Sequence, residues 1–135
     1  MSSFIYNSCL LNSFRGKIDF ESDKFKAILL TDEYEPRKDH ETRADLVGET
    51  AGKGYEAGGS AVNVRATMAD DRLVLTLGGL TLSAATVTAR YAVYCLDRGG
   101  ESDEDLLIAC IDFGGDVSST NADFQLTTST LRIVN

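Results

Sequence analysis

The sequence holds no tryptophan, one proline and one histidine among 135 residues, and its three cysteines cannot all pair. Each shortage excludes something. With a single histidine and no C-x-x-C spacing there is no ligand set for a structural zinc site. Serine and threonine are plentiful, yet none stands in a G-x-S-x-G elbow, and a Ser-His-acid triad would have to recruit His40. That residue lies among Lys38, Asp39 and Glu41, where a solvated loop histidine without a partner is expected. Cys9, Cys95 and Cys110 are expected to be reduced, the latter two inside apolar runs where a free thiol packs as a small hydrophobe.

Other absences bound the partners. No apolar run approaches the roughly 20 residues that cross a bilayer. The apolar middle of the N-terminal segment is broken by Asn7, Ser8 and Asn12 and follows no basic residue, unlike a secretory signal. Cytoplasmic synthesis and no membrane partner are therefore expected. Basic residues number 13 against 21 acidic ones, a formal net charge of −8. Phosphate backbones are bound by clustered Lys and Arg that release counterions, so no nucleic-acid partner is expected.

What is present suits one β-rich domain over residues 1–135. A hydrophobic fraction of 43% supplies a core large enough to fold without metal or disulfide. Residues 4–14 space Ile5, Cys9, Leu10 and Phe14 as a short amphipathic helix would, with Arg15-Gly16 to end it, so residues 1–16 form a helix or arm. The run Lys24 to Thr31 predicts a strand that enters a long polar loop, in which "HETRADLVGE" makes a helical turn with Ala44, Leu46 and Val47 on the core and Gly48 as its stop.

Beyond it, β-rich runs cover 61–69, 72–77, 86–97, 105–113, 122–128 and 130–134, with "ADD", "GG", "DRGGESDED", "GGDVSSTN" and "TS" as turns. The pattern predicts an all-β, mainly antiparallel sandwich or jelly roll. "TVTARYAVYCL" and "LLIACIDF" are apolar on both faces, so the hairpin from Leu96 to Leu106 belongs at the heart of the sheet.

Two stretches invite a ligand reading. "GETAGKGYEAGGSAV" resembles a phosphate loop, but Gly52-Lys53-Gly54-Tyr55-Glu56-Ala57-Gly58 misses the G-x-G-x-x-G offsets, and the alternating Val62, Val64, Ala66 and Met68 open a strand, not a helix. The acidic "ESDEDL" of Glu101–Leu106 lacks EF-hand spacing and predicts a solvated charged turn. No cofactor is expected. Tyr55, flanked by Gly54, Gly58 and Gly59, is either an anchor for the loop or a contact for a partner.

Four landmarks in order carry a family resemblance: F-K-x-x-L-L-T at Phe25–Thr31, G-x-G-Y-x-x-G-G at Gly52–Gly59, A-R-Y-A-V-Y at Ala89–Tyr94 and I-D-F-G-G-D at Ile111–Asp116. Most of the chain thereby resembles a family of small virion structural proteins of tailed bacteriophages. The resemblance implies a non-enzymatic, homo-oligomeric β protein located in the virion, a capsid decoration or cement protein on the major capsid protein shell. A head–tail joining or tail-associated protein is the alternative within the class, and a small-ligand or carbohydrate-binding sandwich the alternative outside it. Contact to other virion proteins is expected from Gly54, Tyr55, Gly58 and Gly59, and from Phe4 and Tyr6 on an N-terminal arm, Met1 to Phe14, extended onto a neighbour.

Overall fold

The computed structural model describes residues 3–134, and its architecture is all-β, mainly antiparallel and sandwich-like, with one short helix. A two-residue strand β1 (Phe4–Ile5) precedes helix α1 (Asn7–Phe14), followed by β2 (Phe25–Leu30), β3 (Ser60–Val62), β4 (Val64–Ala69), β5 (Arg72–Leu77), β6 (Leu80–Leu96), β7 (Leu107–Leu126) and β8 (Ser129–Val134). One sheet has the order β1-β7-β6-β2-β3 and the other β4-β5-β8.

Three bends carry the chain between the sheets, at Asn63, at Gly78-Gly79 and at Thr127-Thr128. A single antiparallel ribbon therefore runs from Tyr94↔Ala109 down to Leu80↔Leu126, turns the corner, and continues from Leu77↔Ser129 to Arg72↔Val134. Folding a sheet over itself in this way needs close backbone approach at the corner. Gly78 donates to Asn63 O at 2.7 Å, Tyr94 Oη donates to Gly78 O at 2.7 Å, and a Cβ on Gly79 would overlap the carbonyl of Leu126.

The larger sheet is covered on both faces. One face, with Phe25, Ala27 and Leu29 of β2 and Leu82, Val87, Ala92 and Tyr94 of β6, meets Val64, Leu75 and Leu77 of the smaller sheet. The opposite face presents Ile28, Leu30, Tyr91, Val93 and Cys95 and is closed by Tyr34 and Leu46 from the long loop. Hence all six residues of β2 are buried. Register shifts in the β6–β7 ladder reset which side chains point to which core.

Several sequence expectations are corrected. The helix begins at Asn7, because Phe4 and Ile5 pair with Cys110 and Ala109 of β7 and Tyr6 N–H donates to Ile108 O at 3.0 Å; Gly16 (φ 75°) does end it. "GGDVSSTN" is not a turn but the middle of β7, which accommodates Gly114 (φ 82°) and Asn121 (φ 46°) as irregularities. The run 61–69 breaks at Asn63 into β3 and β4. In the long loop only Arg43–Asp45 is helical, a 3-10 turn, and Leu46 reaches the core while Ala44 and Val47 stay exposed. The hairpin expected at the heart of the sheet is there, with β6 as its central strand.

The corner geometry sets an expected outcome. Gly79→Ala should lower stability in a denaturant titration by about 2 kcal/mol or more, since the overlap is with backbone. Gly115→Ala, where a Cβ meets nothing within 4 Å, should stay within about 0.5 kcal/mol of the parent.

Candidate functional site

Two groups of polar side chains inside the molecule are each tied together, one around Asp105 and one around Tyr34, while Asp112 Oδ2 is buried without a hydrogen-bond partner. Asp105 is fully buried, and its Oδ2 accepts from Lys26 Nζ and Arg43 Nε, both at 2.8 Å, while Oδ1 accepts from Arg98 N–H at 3.0 Å. Burial by itself raises the carboxyl pKa, but the hydrogen bonds from Lys26, the Arg98 amide and Arg43 outweigh it and hold Asp105 below the ordinary carboxylate range. The expected solvated turn at Glu101–Leu106 is thus corrected: its last acidic residue is an internal ion-pair hub. Lys26 inside the otherwise apolar "FKAILL" was the sequence signal for it, since a lysine there must find a buried anion.

His40 is likewise not free. Its Nδ1 lies 2.8 Å from Tyr34 Oη, which in turn lies 2.7 Å from Tyr6 Oη. The expectation of a partnerless loop histidine fails because the loop folds down to close the second core, carrying Tyr34 inward. Burial pushes the Tyr34 phenol up to about 12 and raises that of Tyr6 further. The three thiols are free and buried, and burial pushes Cys9 up to about 11 and Cys95 and Cys110 up to about 12. A thiol raised this far is a poor nucleophile at neutral pH.

The glycine-rich loop is scaffold. Beyond Tyr91 the strand β6 loses β2 as its neighbour, and the loop takes its place: Thr86 N–H donates to Lys53 O at 2.9 Å and Thr50 Oγ1 to Thr88 O at 2.7 Å. Side chains at Gly52 and Gly59 would overlap the carbonyls of Thr86 and Ala27, and a Cβ on Gly54 would lie 2.9 Å from that of Ala85. Tyr55 is half-buried against the first core; its hydroxyl donates to Glu49 Oε2 at 2.6 Å and accepts from Leu29 N–H at 3.3 Å, and Gly58 N–H donates to the same Glu49 oxygen at 2.8 Å. Of the two roles open to Tyr55, the geometry builds the anchor.

Of the other residues expected at a contact, Phe4 is 7% exposed and Tyr6 not at all. The extended N-terminal arm is therefore corrected over residues 3–14: β1 is bonded into the sheet and Phe4 and Tyr6 belong to the second core. Met1 and Ser2 lie outside the described residues.

An open surface of apolar lining lies elsewhere. Between α1 and the inner face of the smaller sheet lies a groove of about 570 Å³ bordered by Cys9, Leu10, Phe14, Met68, Leu73 and Ile133, with no charged residue in its lining. Phe14 is 93% exposed, Met68 62% and Leu10 39%. Sequence reasoning placed Phe14 on the buried stripe of α1; the helix starts three residues later than expected and only Cys9 is buried. Large exposed apolar side chains clustered around a recess mark a binding surface.

No protein-family model, curated protein or solved structure matches the chain.

Two expectations follow from these contacts. Tyr55→Phe should cost about 1 kcal/mol through its lost hydrogen bonds and Tyr55→Ala about 2 kcal/mol, both read by denaturant titration; an unchanged Tyr55→Ala variant would show that Tyr55 anchors nothing. Asp105→Asn should cost about 3 kcal/mol, because it removes the anion shared by buried Lys26 and half-buried Arg43 and leaves Lys26 only the Asp97 carboxylate at 3.7 Å. The folded-state pKa of Asp105 is depressed, so its stabilisation is complete above the unfolded value of about 4 and is lost as pH falls through the lower folded value. Stability against pH should accordingly show a shallower acid decline in Asp105→Asn than in the parent.

Proposed function

We propose that this chain is a non-enzymatic structural protein of a tailed-phage virion, and within that class a capsid decoration or cement protein bound to the major capsid protein shell. The observation that carries the reading is the contrast between interior and surface. The ionisable groups with chemical potential, Asp105, His40 and the thiols, are committed to packing, while the exposed surface offers an apolar cluster around Phe14 suited to protein contact. The four family landmarks point the same way, and they fall on the strands and the loop that build this scaffold.

In this role the domain contributes rigidity and multiplicity. A core closed on both faces presents its surface without ordering cost at binding, and apolar area buried at a contact yields roughly 25 cal/mol per Å² before association costs. Many copies on a symmetric shell then turn modest contacts into a stable coat. No catalytic, metal or cofactor role is assigned, and the partners are protein only.

Mass-spectrometric quantification of the chain against the major capsid protein in purified particles tests this. A near-stoichiometric ratio is expected for a decoration protein. A ratio of a few per cent would make it a head–tail joining or tail-associated component, and absence from particles would overturn the virion assignment.

A further inference from the structure

The apolar groove beside α1 needs an occupant, and its chemistry identifies one. We infer that it takes Phe14 of a second copy of this chain, so that two copies exchange their helix ends across a two-fold axis. The inference rests on the structural-protein reading above and names the partner of the surface described there.

Three observations converge. First, projection and recess sit on one patch: Phe14, the last residue of α1, stands 93% exposed at the rim of the groove that its own helix borders. An isologous contact requires this self-complementarity, because each copy must offer to its partner what it receives. Second, the lining holds apolar side chains and Ser13 but no acid or base. Two bodies of net charge −8 repel over most approaches, and a patch without carboxylates is where they meet at least electrostatic cost. A basic partner, by contrast, would be steered to the acidic surface. Third, an exposed aromatic seated in an apolar recess is the kind of central anchor that dominates interface energy.

The rest of the patch fits the arrangement. Leu10 (39% exposed) and Leu11 (50%) lie one turn before Phe14 on α1, and Met68 (62%) of β4 lines the groove together with Leu10 and Phe14. Docking there would cover Leu10, Phe14 and Met68 together.

Sedimentation velocity on the full chain over a wide concentration range tests the inference. The parent should show a reversible monomer–dimer equilibrium. Phe14→Ser should weaken it by at least about tenfold without moving the thermal midpoint, since so exposed a ring contributes little to the fold. Met68→Glu, which puts a charge on the receiving side, should have the same effect on association. A parent that stays monomeric, a dimer indifferent to both changes, or a Phe14-dependent oligomer larger than two would overturn it. Should a monomeric parent coat shells stoichiometrically and lose them on Phe14→Ser, the groove faces the shell: self-docking fails and the decoration reading stands. Should the chain form a Phe14-dependent dimer yet be absent from particles, self-docking stands and the decoration reading fails.

Discussion

A carboxylate sealed from water must be answered by cations, and the fold is closed around that requirement. Asp105 leads into β7, Lys26 is in β2, and Arg43 is in the 3-10 turn of the long loop. Drawing all three to one point fixes the loop against the sheet, where Arg43 N–H donates to Asp105 O at 2.9 Å and Leu107 N–H to Glu41 O at 3.0 Å. Only with the loop held there do Tyr34 and Leu46 reach the second face of the sheet. Replacing such a cluster by hydrocarbon is often no less stable, so its value here lies in register: a loop of polar residues has few other means of choosing where to lie.

A second constraint comes from the ribbon of β6 and β7. Strands of seventeen and twenty residues are several times the usual length, and an untwisted ribbon of that size would leave most of its surface wet. Bending it back through Gly78-Gly79 converts length into a two-layer core, and the glycine loop shields the flank of β6 that β2 does not reach. The glycines thus serve close backbone approach in both places. The Asp70-Asp71 loop between β4 and β5, with φ of 52° and 61°, gives the hairpin the twist its strands need.

The all-β class, the central hairpin and most strands were legible because apolar alternation and β-branched runs report burial directly. Three things were not. "GGDVSSTN" carries turn residues but lies in a strand, since pairing with β6 overrides local preference along a ladder this long. The hub required partners 79 and 62 residues away from Asp105, and spacing along a chain does not reveal such proximity. Phe4, Tyr6 and Phe14 were assigned opposite environments to those they occupy, because strand β1 carries Phe4 and Tyr6 into the second core, and Phe14, five residues beyond buried Cys9, lies about 140° around the helix from it.

The offset between Cys9 and Phe14 around the helix leaves an apolar surface over. An α-helix of eight residues is about 12 Å long, enough to seat Cys9 on the core but too short to cover the inner face of β4, β5 and β8 out to Met68 and Ile133. Met68 of the smaller sheet stays 62% exposed, while β1 holds the start of α1 at the opposite sheet. Lengthening the helix is blocked by Gly16 in its left-handed conformation. The geometry that secures the N-terminal segment therefore also exposes Leu10, Leu11 and Phe14, and the uncovered groove is a consequence of the fold's own connectivity, available to whichever surface is shaped to meet it.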